Sequence, residues 1–169
     1  MHNLVDSNNC DSFEFMEMVI NEALRAKPAA GGSTFFSFMH DTNIGDYQFF
    51  KHDKIGFVFF FGLHYNTSQW QDPYEFKPER FDPQSPLFLT PDGKKRNPCS
   101  FMPFSAGQRV CLGKTFAEIN LRLLSLHLTE TFDFEYKNKE KYDGIDNYPL
   151  SMVFMNKVVP VEVNLTKRE

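Results

Sequence analysis

Paired metal ligands are scarce in this 169-residue sequence. The three cysteines, Cys10, Cys99 and Cys111, form no CxxC pair, and the five histidines (His2, His40, His52, His64, His127) show no HxxxH or HExxH spacing. That pattern disfavours a disulfide framework, a structural zinc site and a di-iron site, and it fits a reducing compartment. No run approaches the ~18 apolar residues that cross a bilayer. Met1 is followed by the polar "HNLVDSNNCD", so neither a membrane span nor a secretory signal is expected in the chain as given. Positive charge is also in deficit: the net charge of −4 argues against nucleic acid as the main partner. Internal repeats and low-complexity segments are absent.

The remaining composition, 41% hydrophobic and 24% charged, is that of one globular domain with a core. Phenylalanine stands out at 20 residues. Each ring can bury a large apolar area, so much of this surface calls for cover, by the chain itself or by something else.

Residues 11 to 27 read as a helix, with Asp11 as cap, Glu14 three residues on, and Pro28 as the stop. Phe13, Met16, Ile20, Ala23 and Leu24 form an apolar stripe that Phe15, Met18 and Val19 widen. Glu22 falls inside that arc, where a carboxylate is costly to bury unless paired, and Arg25 at i+3 is within reach. Residues 34 to 65 carry strand signals. "TFFSF" and "YQFF" flank the turn-forming "TNIGD", and "IGFVFFFG" reads as a continuous strand covered on both faces of a small sheet. From Asn66 to Pro103 the pattern breaks, and Pro73, Pro78, Pro83, Pro86, Pro91, Pro98 and Pro103 forbid long helices and central strands. So long an irregular stretch needs a function or specific pins. Leu112 to about Thr129 reads as a second helix with Phe116, Ile119, Leu123 and Leu126 in register, and the tail reads as a β-hairpin about an Asn156-Lys157 turn.

The stretch "FMPFSAGQRVCLGKTFAEI", Phe101 to Ile119, sets Cys111 at the start of that second helix, where free amides and the dipole favour a thiolate. Cys111 is thus a candidate ligand or nucleophile. Gly107 permits a positive φ, and Gly113 lets the chain pass tightly against a flat partner. Amides of Leu112 and Gly113 are candidate donors to the sulfur. Phe104 would shield it from water, and Arg109 offers a fork for a carboxylate. A nucleophile needs a base, and no histidine is close in sequence, although His64 and His127 remain open as spatial neighbours. A planar cofactor with carboxylate arms and a metal explains more of the pattern.

"FSAGQRVCLG" matches the FxxGxRxCxG signature of the cytochrome P450 family of haem-thiolate monooxygenases. Five fixed residues at about 5% frequency each arise by chance in such a chain with odds on the order of one in ten thousand. "EALR", Glu22 to Arg25, resembles the family's ExxR element, and "PERF", Pro78 to Phe81, its PERF element, in the family's order. The resemblance runs from Phe13 onward. It implies a mainly α fold with small β-sheets: an ExxR helix, a small sheet, a proline-rich meander, a cysteine-ligand loop with its following helix, and a terminal β-hairpin. Residues 1–169 then form a single partial domain, the C-terminal third of the family's.

By the same resemblance Cys111 is the axial ligand of haem b, pushing electron density toward oxygen to favour O–O cleavage. Arg109 pairs with a propionate, Phe104, Gly107 and Gly113 shape the cofactor's bed, and Glu22, Arg25 and Arg80 form a buried structural triad that pins the meander. The implied activity inserts one oxygen atom of O2 into a small lipophilic substrate. NADPH enters only through a reductase docked on the proximal side, and a full-length eukaryotic relative would sit on the cytosolic face of the endoplasmic reticulum. "GKKRN", Gly93 to Asn97, reads first as a solvated loop and second as part of that docking face.

The family's earlier segments, including the oxygen-activating helix, have no counterpart here, and "AAGGSTFFSF", Ala29 to Phe38, lacks the basic residue by which many members hold a propionate. No catalytic residue is therefore assigned, and the chain alone is expected to be catalytically incomplete. Two alternatives stand beside the monooxygenase: a haem-thiolate peroxide isomerase or dehydratase, and a non-catalytic fragment that does not hold haem stably.

Overall fold

A computed structural model describes residues 10–52, 55–137 and 161–168, without the side chains of 10–12 and 55. In order it comprises α1 (Cys10–Ala26), β1 (Phe36–Ser37), β2 (Thr42–Ile44), β3 (Tyr47–Phe49), β4 (Ile55–Gly56), α2 (Phe60–His64), α3 (Lys114–Thr131), β5 (Phe132–Tyr136) and β6 (Val163–Lys167). Between α2 and α3 the proline-rich chain forms only 3-10 turns, at Pro78–Phe81, Pro86–Phe88, Pro98–Ser100 and Gly107–Arg109. Proline opens the first three of these, where its fixed φ suits a tight turn and its missing amide costs nothing.

Helix α1 has no glycine or proline in its interior, and Pro28 keeps it from running on. Cys10 is already helical, so Asp11 lies inside the helix and not at its cap, its side chain outside the described residues. Two expectations for the sheet region fail. Within residues 34–65 the strands form two separate antiparallel pairs, β1 with β4 and β2 with β3, in place of one small sheet, and β5 pairs with β6 elsewhere in the chain. The turn of the β2–β3 hairpin contracts to Gly45-Asp46, with Gly45 at φ +58°, and "TNI" itself becomes strand.

"IGFVFFFG" is not one strand. It pairs at Ile55–Gly56, bridges once from Phe59 to Gly32, and then turns into α2. The reason is burial: in helical geometry Phe60, Phe61 and His64 all reach the interior, whereas alternation would send half of them outward.

Few side chains are buried among the described residues, chief among them Ala26, Phe60, Phe61 and Trp70, with Glu22, Arg25, His64 and Arg80 beside them. Trp70, 1% exposed, packs on Phe81 and Phe101. Helix α1 lies against the Pro78–Phe81 turn and α3, and Glu17 and Arg122 pair across the two helices at 2.5 Å. Helix α3 begins two residues later than expected. Its stripe is largely bare, with Phe116 74% exposed and Ile119 and Leu123 about half exposed, while Leu126 is partly covered. Of the expected terminal hairpin, the first strand and the Asn156-Lys157 turn lie outside the described residues. The last strand is β6, which pairs with β5.

Candidate functional site

Glu22, Arg25 and Arg80 meet in the interior, all three fully buried. The Glu22 carboxylate receives the fork of Arg25 on both oxygens, Nε to Oε2 and Nη2 to Oε1, each at 2.8 Å. Its Oε1 also accepts Arg80 Nε at 3.2 Å and the Lys77 amide at 2.9 Å. Two guanidinium groups face one carboxylate, and the surplus positive charge is met by main-chain carbonyls. Arg25 donates to the oxygens of His64, Pro73 and Glu75, and Arg80 to those of Gln71, Asp72 and Glu75. All of these acceptors except His64, the last residue of α2, belong to the irregular segment that follows it, so the ionic cluster fixes the path of a chain that has no ladder of its own. Burial pushes the Arg80 guanidinium below its ordinary value, the Glu22 charge opposes that shift, and the neighbouring Arg25 adds to it.

A further cation completes this clamp. Arg96 lies 4.2 Å over the Trp70 ring and donates to the carbonyls of Leu87 at 2.9 Å and Arg80 at 2.5 Å. Burial, reinforced by the Arg80 charge, lowers its pKa to about 10, which leaves it charged at neutral pH. "GKKRN" is therefore divided: Lys94 pairs outward with Asp92, while Arg96 turns in. The Trp70 face, which Arg25 also approaches at 5.4 Å, is what draws it inward.

The cysteine loop is built on two left-handed residues, Ser105 at φ +64° and Gly107 at φ +70°. Only glycine holds the second without strain. The coil closes where the Cys111 amide donates to the Phe104 carbonyl at 2.9 Å, and the Lys114 amide then donates to the Cys111 carbonyl at 3.2 Å to start α3. Gly113 has an ordinary φ of −83°, so backbone conformation does not demand glycine there. A Cβ at Gly113 would instead occupy the space beside Cys111 Sγ, 3.9 Å away. The amides of Leu112 and Gly113 make no hydrogen bond to Sγ among the described residues.

Cys111, Arg109 and Phe104 line one cleft of about 550 Å³, together with Ala29, Gly32, Phe36 and Phe60. Cys111 is exposed to it as a free thiol, and Arg109 has no ion-pair partner among the described residues. The cleft is mainly apolar, with a soft donor and a cation at its margin. That chemistry fits a flat apolar ring system carrying a metal and acidic arms. His127, the distant candidate base, is exposed on α3, and His64 is buried in the clamp, so neither lines the cleft beside Cys111.

A sequence profile of the cytochrome P450 family matches residues 2–164. The chain belongs to this family. Among P450 relatives, it is 30% identical over 154 residues to steroid 17-alpha-hydroxylase/17,20 lyase of Cavia porcellus, covering 90% of this chain and 28% of that protein. It is 36% identical over 111 residues to cytochrome P450 4F6 of Rattus norvegicus, covering 64% and 19%. The fold matches retinoic acid bound cyanobacterial CYP120A1 with a TM-score of 0.73 at 23% identity, covering 97% of this chain and 35% of the other. A zebrafish cytochrome P450 with abiraterone gives a TM-score of 0.70 at 24% identity, over 97% and 36%. The chain thus spans about 28% of the length of the first relative and carries the corresponding part of the P450 fold, mixed helix and small sheets. Sequence reasoning read Arg96 only as part of a solvated or docking run, which its inward turn corrects, and left the role of the buried His64 open. Their signal lay in the aromatic neighbours Trp70 and Phe101, which become neighbours only in the fold.

Proposed function

We propose that this chain forms the cofactor-holding part of a haem-thiolate monooxygenase, with Cys111 as axial ligand of haem b and Arg109 as partner of a propionate. The observation that carries the reading is the placement of Cys111, Arg109 and Phe104 on one apolar cleft of about 550 Å³. Phe104, on the same cleft as Cys111, would shield the sulfur once the haem is seated, Gly107 bends the loop, and Gly113 leaves room beside Sγ. The bound haem supplies activation of O2 for insertion of one oxygen atom into a lipophilic organic substrate. Electrons come from an NADPH-dependent reductase on the proximal side. The endoplasmic reticulum membrane is the location that the family resemblance implies for the whole protein. The clamp of Glu22, Arg25 and Arg80 holds the segment that leads into the cysteine loop, so it acts on the site through the backbone and not by touching substrate.

Haem titration of the purified chain tests this. One haem per chain is expected to bind, quenching the emission of Trp70, the single tryptophan. Arg109→Gln is expected to weaken binding by about tenfold or more, the worth of one charge-assisted hydrogen bond. Binding without saturation at one equivalent, or an Arg109→Gln affinity equal to that of the unchanged chain, contradicts the assignment.

A further inference from the structure

The loop that carries Cys111 has a buried attachment to the clamp. His64 closes α2, is fully buried, and lies between the rings of Phe60 and Phe101, with centroids 6.4 and 5.5 Å away. Its Nδ1 is 3.1 Å from the Arg25 carbonyl oxygen, and its Nε2 is 3.0 Å from the Met102 amide nitrogen. A carbonyl only accepts and an amide only donates, so Nδ1 carries the proton and Nε2 the lone pair. The ring is neutral and its tautomer is fixed. Beyond it, the Met102 carbonyl accepts the Ser105 amide at 3.1 Å, and the Phe104 carbonyl accepts the Cys111 amide at 2.9 Å.

We infer that His64 is a positioning residue for Cys111: anchored on the Arg25 carbonyl, it accepts the Met102 amide and so sets where the Met102–Cys111 loop stands over the cleft. Its consequence for ligation rests on the reading of Cys111 as the haem ligand, whereas the anchoring is a property of the chain itself. The ring spans two elements that no strand or helix joins, the end of α1 and the entry to the loop. A part-buried amide left without its acceptor turns to water for a partner and takes the loop with it.

Two substitutions separate the ends of the ring. Asparagine places an amide near the Nδ1 position, keeping the donor to Arg25 and losing the acceptor for Met102, whereas glutamine reaches the Nε2 position and keeps that acceptor. In the haem-free chain, His64→Asn is expected to speed hydrogen exchange at the Met102 and Cys111 amides about tenfold relative to α1, and His64→Gln to stay within about threefold of the unchanged chain. In the haem-loaded chain, His64→Asn is expected to divert part of the reduced carbon-monoxide band to the neutral-thiol position, and His64→Gln is not. Equal behaviour of the two variants overturns the inference, as does unchanged exchange in His64→Asn. Whatever the variants do, the ring 15N shifts of the unchanged chain decide the geometry: a protonated Nδ1 with a bare Nε2 supports it, and the reverse tautomer overturns it. If haem fails to bind while the Asn and Gln variants differ in exchange, the haem reading falls and the anchoring by His64 stands.

Discussion

Glu22→Gln is expected to lower the unfolding free energy by about 3–5 kcal/mol, the cost of removing one partner from a buried ionic network. The substitution keeps the shape of the side chain and most of its hydrogen-bonding reach. It removes the one negative charge facing Arg25 and Arg80, both fully buried, and leaves two guanidinium groups with only carbonyl dipoles for compensation. The amide also turns two of its positions into donors toward groups that themselves only donate. A domain of this size has roughly 5–15 kcal/mol in total, so the variant stands near the edge of folding. Urea unfolding followed by Trp70 emission measures it. The tryptophan lies within about 5.4 Å of both Arg25 and Arg96 and reports the clamp directly. A fall in the midpoint at constant slope is the expected result, and a loss under about 1 kcal/mol would show that the clamp is not what holds the segment.

Acidification provides the second large effect. Burial lowers the His64 pKa from 6.5 to about 4; the hydrogen bond to the Arg25 backbone opposes that shift and the Arg25 charge adds to it. Between those two values the unfolded chain binds a proton that the folded chain refuses, so stability falls as the pH drops from about 6.5 to 4 and levels off below. A shift of that size corresponds to about 3 kcal/mol. Protonated Nε2 turns from acceptor to donor and confronts the Met102 amide, so the loss includes the loop attachment. Carboxylates act in a different window. Asp72 and Asp92, held below 3.8 by Lys77 and Lys94, contribute stability that is lost only at more acid pH. His64→Gln is expected to flatten the dependence above pH 4, and a stability curve already flat in that range for the unchanged chain would contradict the buried neutral ring.

The parts of the fold that were legible in the sequence are those whose cause is local. Helix α1 shows in its periodicity and its proline stop, the meander in its prolines, and the cysteine loop in glycines placed where a positive φ or close approach is needed. Glu22 also declared itself, since a carboxylate inside an apolar arc demands a partner. Arg25 was visible at i+3, but Arg80 lies 58 residues away and came only through the family resemblance.

What escaped depends on tertiary context. "IGFVFFFG" has no period that separates a two-sided strand from a short buried helix, and the decision falls to where Phe60, Phe61 and His64 find cover. Arg96 hid in a run of charges that locally signals solvent. It turned inward because Trp70 presents a face there, 26 residues upstream, and no spacing rule reports that. The β5–β6 pair joins residues about 30 apart with no turn signal linking them directly. The stripe on α3 was read correctly as apolar, but its exposure follows from what packs on it and not from its own pattern.

The reduced carbon-monoxide difference spectrum of the haem-loaded chain, compared with that of Cys111→Ser, tests the central claim most directly. Cys111 is exposed on the cleft, so the substitution is expected to leave the urea midpoint unchanged within about 0.5 kcal/mol. The unchanged chain is expected to show the strongly red-shifted Soret band of thiolate ligation, and the variant to lose it while still folded. A red-shifted band that persists in Cys111→Ser, or a haem-loaded unchanged chain that never shows one, contradicts the assignment of Cys111 as the iron ligand.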